Sequence, residues 1–161
     1  MTAAAILHGP EDKFLASALG AAGFVLSDAP PAALLVNLGG DAAASIAAAE
    51  RFAEAAADGE DSLVVSILRP HARDDWPATR DEAELWAFTR YAALAWAPRG
   101  IRVNAVGLGV SPVLASQPVE ASGQAAGPAP AAPATQADIA ATILAMWRFP
   151  SMTGQLIRLG A

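Results

Sequence analysis

Short apolar runs alternate along the chain with longer alanine-rich stretches, and the two patterns predict strands and helices in turn. Residues 3–7 form an apolar run that ends at His8-Gly9, as a buried strand followed by a turn does. Pro10, Glu11 and Asp12 predict a helix over 10–22, because proline suits a first helical turn and acids suit its positive end. Gly23 stops it. Residues 24–26 and 33–37 predict the second and third strands, separated by a turn containing Asp28, Pro30 and Pro31. Residues 41–57 are helical by propensity. The unbroken apolar run at 62–68 predicts a fourth strand buried on both faces.

Residues 69–78 read as a loop with two prolines. Thr79-Arg80-Asp81-Glu82 fits a capping box, which predicts a helix from Arg80 to about residue 97, closed by Pro98-Arg99-Gly100. Residues 101–106 predict the fifth strand. The stretch 107–134 is rich in Gly, Pro, Ala and Ser, and 110–134 is expected to be a flexible Ala/Pro/Gly-rich loop. Thr135 with Asp138 caps a helix running to Trp147, and 155–159 predict the last strand. This alternation predicts one α/β domain over 1–161, a three-layer Rossmann-type parallel sheet of about six strands with helices on both faces.

Composition narrows the function classes. A chain of 161 residues carries one core. Roughly a quarter of it is alanine, so the 54% hydrophobic share overstates bulky core material. The net charge is −6 with no basic cluster, which argues against nucleic-acid binding. The absence of cysteine excludes disulfides, thiol chemistry and cysteine metal sites. No apolar run is long enough to span a membrane, and the N-terminus lacks the basic region of a signal peptide, so a cytoplasmic location is expected. Low charge on a small domain leaves a surface suited to association.

Four stretches carry a family resemblance. Ala97-Pro98-Arg99-Gly100-Ile101-Arg102-Val103-Asn104-Ala105-Val106-Gly107-Leu108-Gly109 resembles APRGIRVNAVAPG of the short-chain dehydrogenase/reductases. Phe88-Thr89-Arg90 is similar to that family's FTR, Leu35-Val36-Asn37-Leu38-Gly39-Gly40 to its LVNNAG, and residues 152–160 to its closing strand. The matches fall in family order. They imply the family's fold in the strand order 2-1-4-5-6-7, with edge strand 3 missing because only residues 27–32 separate the second strand from the LVNNAG-like one. A second deletion follows Gly40.

The departures are systematic. The family's catalytic pair is YxxxK, and the resemblance puts Ala78 at the tyrosine position and Glu82 at the lysine position. The only tyrosine, Tyr91, has Ala95 four residues on, and the only lysine, Lys13, lies in the first predicted helix. Leu68 takes the place of the catalytic serine, with Ser66 two residues early. The dinucleotide loop TGxxxGIG corresponds to His8-Gly9-Pro10-Glu11-Asp12-Lys13-Phe14-Leu15, which keeps one glycine and puts two carboxylates where phosphate would bind. No catalytic, cofactor-binding or metal residue is therefore assigned, and no cofactor is expected.

Other groupings have plainer readings. Asp28 resembles the family's ribose-binding acid but also reads as a turn aspartate. Ser66, His71 and Asp74 or Asp75 raise a hydrolase reading, yet no GxSxG elbow is present. His71 with Asp74 and Asp75 makes a poor metal set. Asn104 reads as a structural hydrogen-bonding residue. Trp86, Arg90 and Leu94 form an i, i+4, i+8 stripe, and with Trp147, Phe149 and Met152 they are the candidate interface residues. The expectation is a pseudoenzyme acting through homo- or hetero-oligomerisation with a full-length short-chain dehydrogenase/reductase. The alternatives are an NAD(P)-dependent oxidoreductase with an altered site and a small-ligand binding module.

Overall fold

Six short apolar segments pair side by side, all parallel, in the computed structural model, which describes residues 3–39, 41–69, 71, 75–109 and 134–160. The strands are β1 (Ala3–His8), β2 (Phe24–Leu26), β3 (Leu34–Asn37), β4 (Ser62–Leu68), β5 (Ile101–Leu108) and β6 (Leu156–Leu159). Their order is β2-β1-β3-β4-β5-β6, the predicted order with the outermost strand missing beyond β2. The register sets Leu35 beside Val64, Val65 beside Asn104 and Val106 beside Ile157.

Alternation within the strands feeds two cores. Helices α1 (Lys13–Ala21) and α4 (Gln136–Arg148) cover one face, where Leu15, Leu19, Ile143 and Met146 meet Val36, Val65 and Val106. Helices α2 (Ala42–Ala55) and α3 (Trp76–Trp96) cover the other, where Ala49, Phe52, Ala92 and Ala93 meet Leu35, Val64 and Val103. Every residue of β4 is buried, as its uninterrupted apolar run requires. Alanine on the inner faces of α2 and α3 leaves room for the larger strand residues.

Two helix starts differ from expectation. Helix α1 begins at Lys13, not residue 10, because Asp12 accepts from Leu15 N at 2.9 Å and so becomes its N-cap. Helix α3 begins at Trp76, not Arg80: Asp75 accepts from Ala78 N at 3.1 Å, and Pro77 lies in the first turn. Thr79 and Glu82 are thus inside the helix and form no capping box. Strand β5 also runs on to Leu108, two residues past its predicted end. The Thr135–Asp138 capping box does form. The segment 110–133, expected to be a loop, lies outside the described residues.

Asn104 has the structural role expected of it. Its Nδ2 donates to Met152 O at 2.9 Å and its Oδ1 accepts from Gln155 N at 3.0 Å. These bonds hold the connection into β6 against β5.

Candidate functional site

In open parallel sheets, ligands bind outside the carboxyl ends of the strands. A cleft of about 420 Å³ lies at that edge here, between the ends of β3 and β4 and the first turns of α3. Gly39, Ile67, Leu68 and Arg69 form its sheet side, and Asp75, Pro77, Ala78, Asp81, Glu82 and Leu85 its helix side. Ala78 and Glu82, the positions that resemble the family's tyrosine and lysine, both line it. The cleft therefore has neither a phenol nor an ammonium group.

Its chemistry centres instead on His71, which lies between the end of β4 and α3. The His71 Nε2 is 2.9 Å from Thr79 Oγ1, and Nδ1 is 3.6 Å from Glu82 Oε2. Nδ1 also lies 3.4 Å from Arg69 O. The Thr79 hydroxyl donates to Asp75 O at 2.9 Å, so it accepts from His71 Nε2–H. Glu82 is buried at 4% exposure, which explains why a carboxylate this deep lies against an imidazole. The sequence signal for this grouping is the Asp75-Trp76-Pro77 helix start. It sets Glu82 two turns into α3, on the inner face.

The other sequence candidates separate. Ser66 is buried in β4, and its hydroxyl accepts from Asn37 Nδ2 at 3.5 Å, while His71 has its own partners. The structure thus gives no Ser66–His71 contact, and Asp74 lies outside the described residues. Among the described residues no group of three or more His, Cys, Asp or Glu is placed to hold a metal. Asp28 lines a pocket of only about 90 Å³, with His8, Pro30 and Arg51. That is well under the ~300 Å³ of ordinary small-molecule sites. A wider groove of about 680 Å³ at the opposite edge, among Ala3, Ala32, Ala56 and Trp147, carries carboxylates only at Glu60 and Asp61.

The start of α1 is a poor seat for a pyrophosphate. One N–H of the first turn of α1, that of Leu15, is bonded to the Asp12 carboxylate. Pro10 supplies no donor, and Glu11 adds a second negative charge, 4.0 Å from Lys13 Nζ. The turns after β1 and β3 also touch: a Cβ at Gly9 would lie 3.3 Å from Gly39 O and 3.3 Å from Leu38 Cβ.

The candidate interface residues divide. Leu94 is 82% exposed and Arg90 is exposed, whereas Trp86 is half-buried against the cluster of Ala42, Leu68, Leu85 and Ala105. At 100° per residue the i, i+4, i+8 stripe drifts around α3, from its flank at Trp86 to its outer face at Leu94. The outer face itself runs through Trp76, Ala83, Ala87, Tyr91 and Leu94, all exposed. In the second set, Trp147 stacks edge-on against Phe24 with ring centroids 5.1 Å apart, and Met152 packs on the core. Phe149 is exposed.

No protein-family model and no curated protein matches the chain. Solved structures do. One is an oxidoreductase of the short-chain dehydrogenase/reductase family from Brucella ovis, in complex with a partially ordered NAD. It superposes with a TM-score of 0.69 at 15% identity, covering 99% of this chain and 100% of that one. The FolM alternative dihydrofolate reductase 1 from Brucella suis, in complex with NADP, gives a TM-score of 0.65 at 20% identity over 98% and 93% of the two chains. A Serratia marcescens short-chain dehydrogenase/reductase gives 0.65 at 14% identity over 99% and 96%.

Proposed function

We propose that this chain, which has the fold of a truncated short-chain dehydrogenase/reductase, does not transfer hydride and works as a non-catalytic subunit. It would associate with a second copy of itself or with a full-length relative. One observation carries the reading: the helix that lacks the catalytic pair on its inner face exposes Trp76, Tyr91 and Leu94 on its outer face, with Arg80 among them. Ala78 and Glu82 line the cleft, while Tyr91 at 71% and Leu94 at 82% exposure stand on the solvent side of the same α3. Three large exposed apolar side chains on one helix face are an expensive surface for a free monomer. Asp12 supports the same reading, because its carboxylate caps the first turn of α1 and puts a negative charge where a phosphate would approach.

Native mass spectrometry of the purified chain, and co-purification with a full-length relative encoded beside it, test this reading. A dimer or a stable hetero-complex is the expected result. A monomer at high concentration that captures no such relative overturns it.

A further inference from the structure

The cleft at the carboxyl edge of the sheet has charges of both signs facing one cavity, and they are unevenly engaged. On the α3 side the carboxylates have local roles. Asp75 Oδ1 caps Ala78 N at 3.1 Å, Asp81 Oδ1 lies 3.3 Å from Arg80 Nη2, and Glu82 lies against His71. On the sheet side Arg69 donates Nε to Leu38 O at 2.8 Å. Among the described residues, no carboxylate comes within ion-pair distance of its guanidinium. The Leu38 bond orients the root of the guanidinium and leaves its two terminal nitrogens without a protein partner among the described residues.

We propose that this cleft binds a small zwitterion, a free amino acid with an apolar side chain. A guanidinium fork takes a carboxylate by paired hydrogen bonds. A plain anion would meet Arg69 but also face Asp75 and Asp81 across the cavity. A plain amine would meet those carboxylates but also face Arg69. A molecule with both charges satisfies both walls. Between them Ile67, Leu68 and Leu85, each at most 3% exposed, form the floor of the cleft, and Pro77 is the exposed apolar side chain beside it. The volume of about 420 Å³ falls in the ordinary range for small-molecule sites. The proposal stands apart from the association reading and holds or fails independently of it.

Three probes separate the charges: L-leucine, 4-methylpentanoate, which lacks the ammonium group, and 3-methylbutylamine, which lacks the carboxylate. The full chain is titrated with each at neutral pH. Amide and Arg69 Nε–H shifts are read by NMR, and affinities by calorimetry. Leucine shifts residues around Arg69 and the first turns of α3 saturably, and each single-charge analogue binds at least ~10-fold more weakly. Arg69→Met reduces leucine binding to the level of the amine. Asp81→Asn weakens leucine and tightens 4-methylpentanoate, which no longer faces that carboxylate. Either analogue binding as tightly as leucine overturns the proposal, and so does the absence of saturable shifts with leucine up to about 10 mM. Circular dichroism melts confirm that the variants fold. If Arg69→Met unfolds, the wild-type probe series and Asp81→Asn decide alone.

Discussion

Arg102 and Asp61 form a bidentate pair, with Nε 2.7 Å from Oδ1 and Nη2 3.1 Å from Oδ2. The two ends are unequal. Arg102 is 5% exposed in β5, while the Asp61 side chain is 52% exposed. The same guanidinium donates to the carbonyls of Met146, Trp147 and Phe149 at the end of α4, and it lies 5.9 Å from the centroid of the Trp147 ring. One side chain thus supplies donors to carbonyls that the helix end leaves unpaired, at the negative end of its dipole. It joins β5, the turn before β4 and α4.

Replacing Arg102 therefore costs more than losing one ion pair. Arg102→Ala is expected to destabilise the chain by about 3 kcal/mol, because buried carbonyls lose their donors. Arg102→Lys recovers only part of this, since an ammonium cannot span three carbonyls and a carboxylate. Asp61→Asn costs under about 1 kcal/mol, as expected of an exposed partner. Urea unfolding of the three variants checks the ranking. An Asp61 variant as damaging as Arg102→Ala would place the energy in the pair and not at the helix end.

Gly100 and Gly20 are expected to respond in opposite directions to alanine. Gly100 closes the turn into β5 at φ +83°, and a Cβ there would lie 2.8 Å from Glu60 O. Both the left-handed backbone and a rigid carbonyl oppose a side chain, so Gly100→Ala should cost at least about 2 kcal/mol. Gly20 lies inside α1, where an added methyl group would meet nothing within 4 Å, and Gly20→Ala should stabilise by about 0.5–1 kcal/mol. Thermal melts of the two single variants report both signs.

The capping box of α4 makes stability depend on acid pH. Thr135 Oγ1 donates to Asp138 Oδ2 at 2.7 Å and Thr135 N donates to the same oxygen at 2.8 Å. The hydroxyl bond first, then the backbone bond, hold the Asp138 carboxyl below its ordinary value of 3.8, against a small opposing effect of burial. A carboxyl lowered in the folded state stabilises fully above its ordinary value, and loses that contribution as pH falls through the lower folded value. Thr135→Ala, which should cost about 1 kcal/mol at neutral pH, must therefore show a smaller deficit at acid pH. Melting temperatures of both proteins from neutral pH to about pH 3 test this. A gap that widens on acidification contradicts it.

The strands were legible because each is a short apolar run bounded by turn residues. Even the double burial of β4 follows from its run of 62–68. The helix starts were less legible, because two candidate caps competed within a few residues. Thr79 and Glu82 match a capping box in sequence, but Asp75 with Pro77 begins α3 one turn earlier and converts both into helix-interior residues. The same competition placed the start of α1 too early, since Asp12 prefers the cap position to the first turn. The grouping of His71 with Glu82 was legible only for Glu82, through the Asp75-Trp76-Pro77 helix start. It depends on where the end of β4 lies relative to α3, which is set by sheet packing and not by local pattern.

Asp12 also governs what the first helix can bind. Its carboxylate caps the Leu15 N–H and sets a negative charge at the start of α1, so nicotinamide dinucleotides should give no thermal shift. At 1 mM a dinucleotide with a Kd of about 10 μM would stabilise by roughly 2.7 kcal/mol, an easily measured rise. Asp12→Ala should instead lower stability by about 1 kcal/mol through loss of the N-cap, with or without dinucleotide. A clear shift with NAD(H) or NADP(H) would overturn the cofactor expectation.

The two candidate interfaces make different demands on single substitutions. On α3, Leu94 and Tyr91 are exposed, so Leu94→Glu leaves the isolated fold intact. At the other end, Trp147 packs on Phe24 and Met152 on the core, which leaves only Phe149 as a free apolar contact. If association uses α3, Leu94→Glu dissociates the assembly in analytical ultracentrifugation, with a melting temperature near that of wild-type monomer. Burial of a Leu side chain contributes roughly 1.5–3 kcal/mol, so its loss from both partners of a symmetric pair weakens association by at least ~100-fold. Phe149→Glu would leave the assembly unchanged. The reverse outcome, dissociation by Phe149→Glu alone, would move the interface to the β6 end of the molecule.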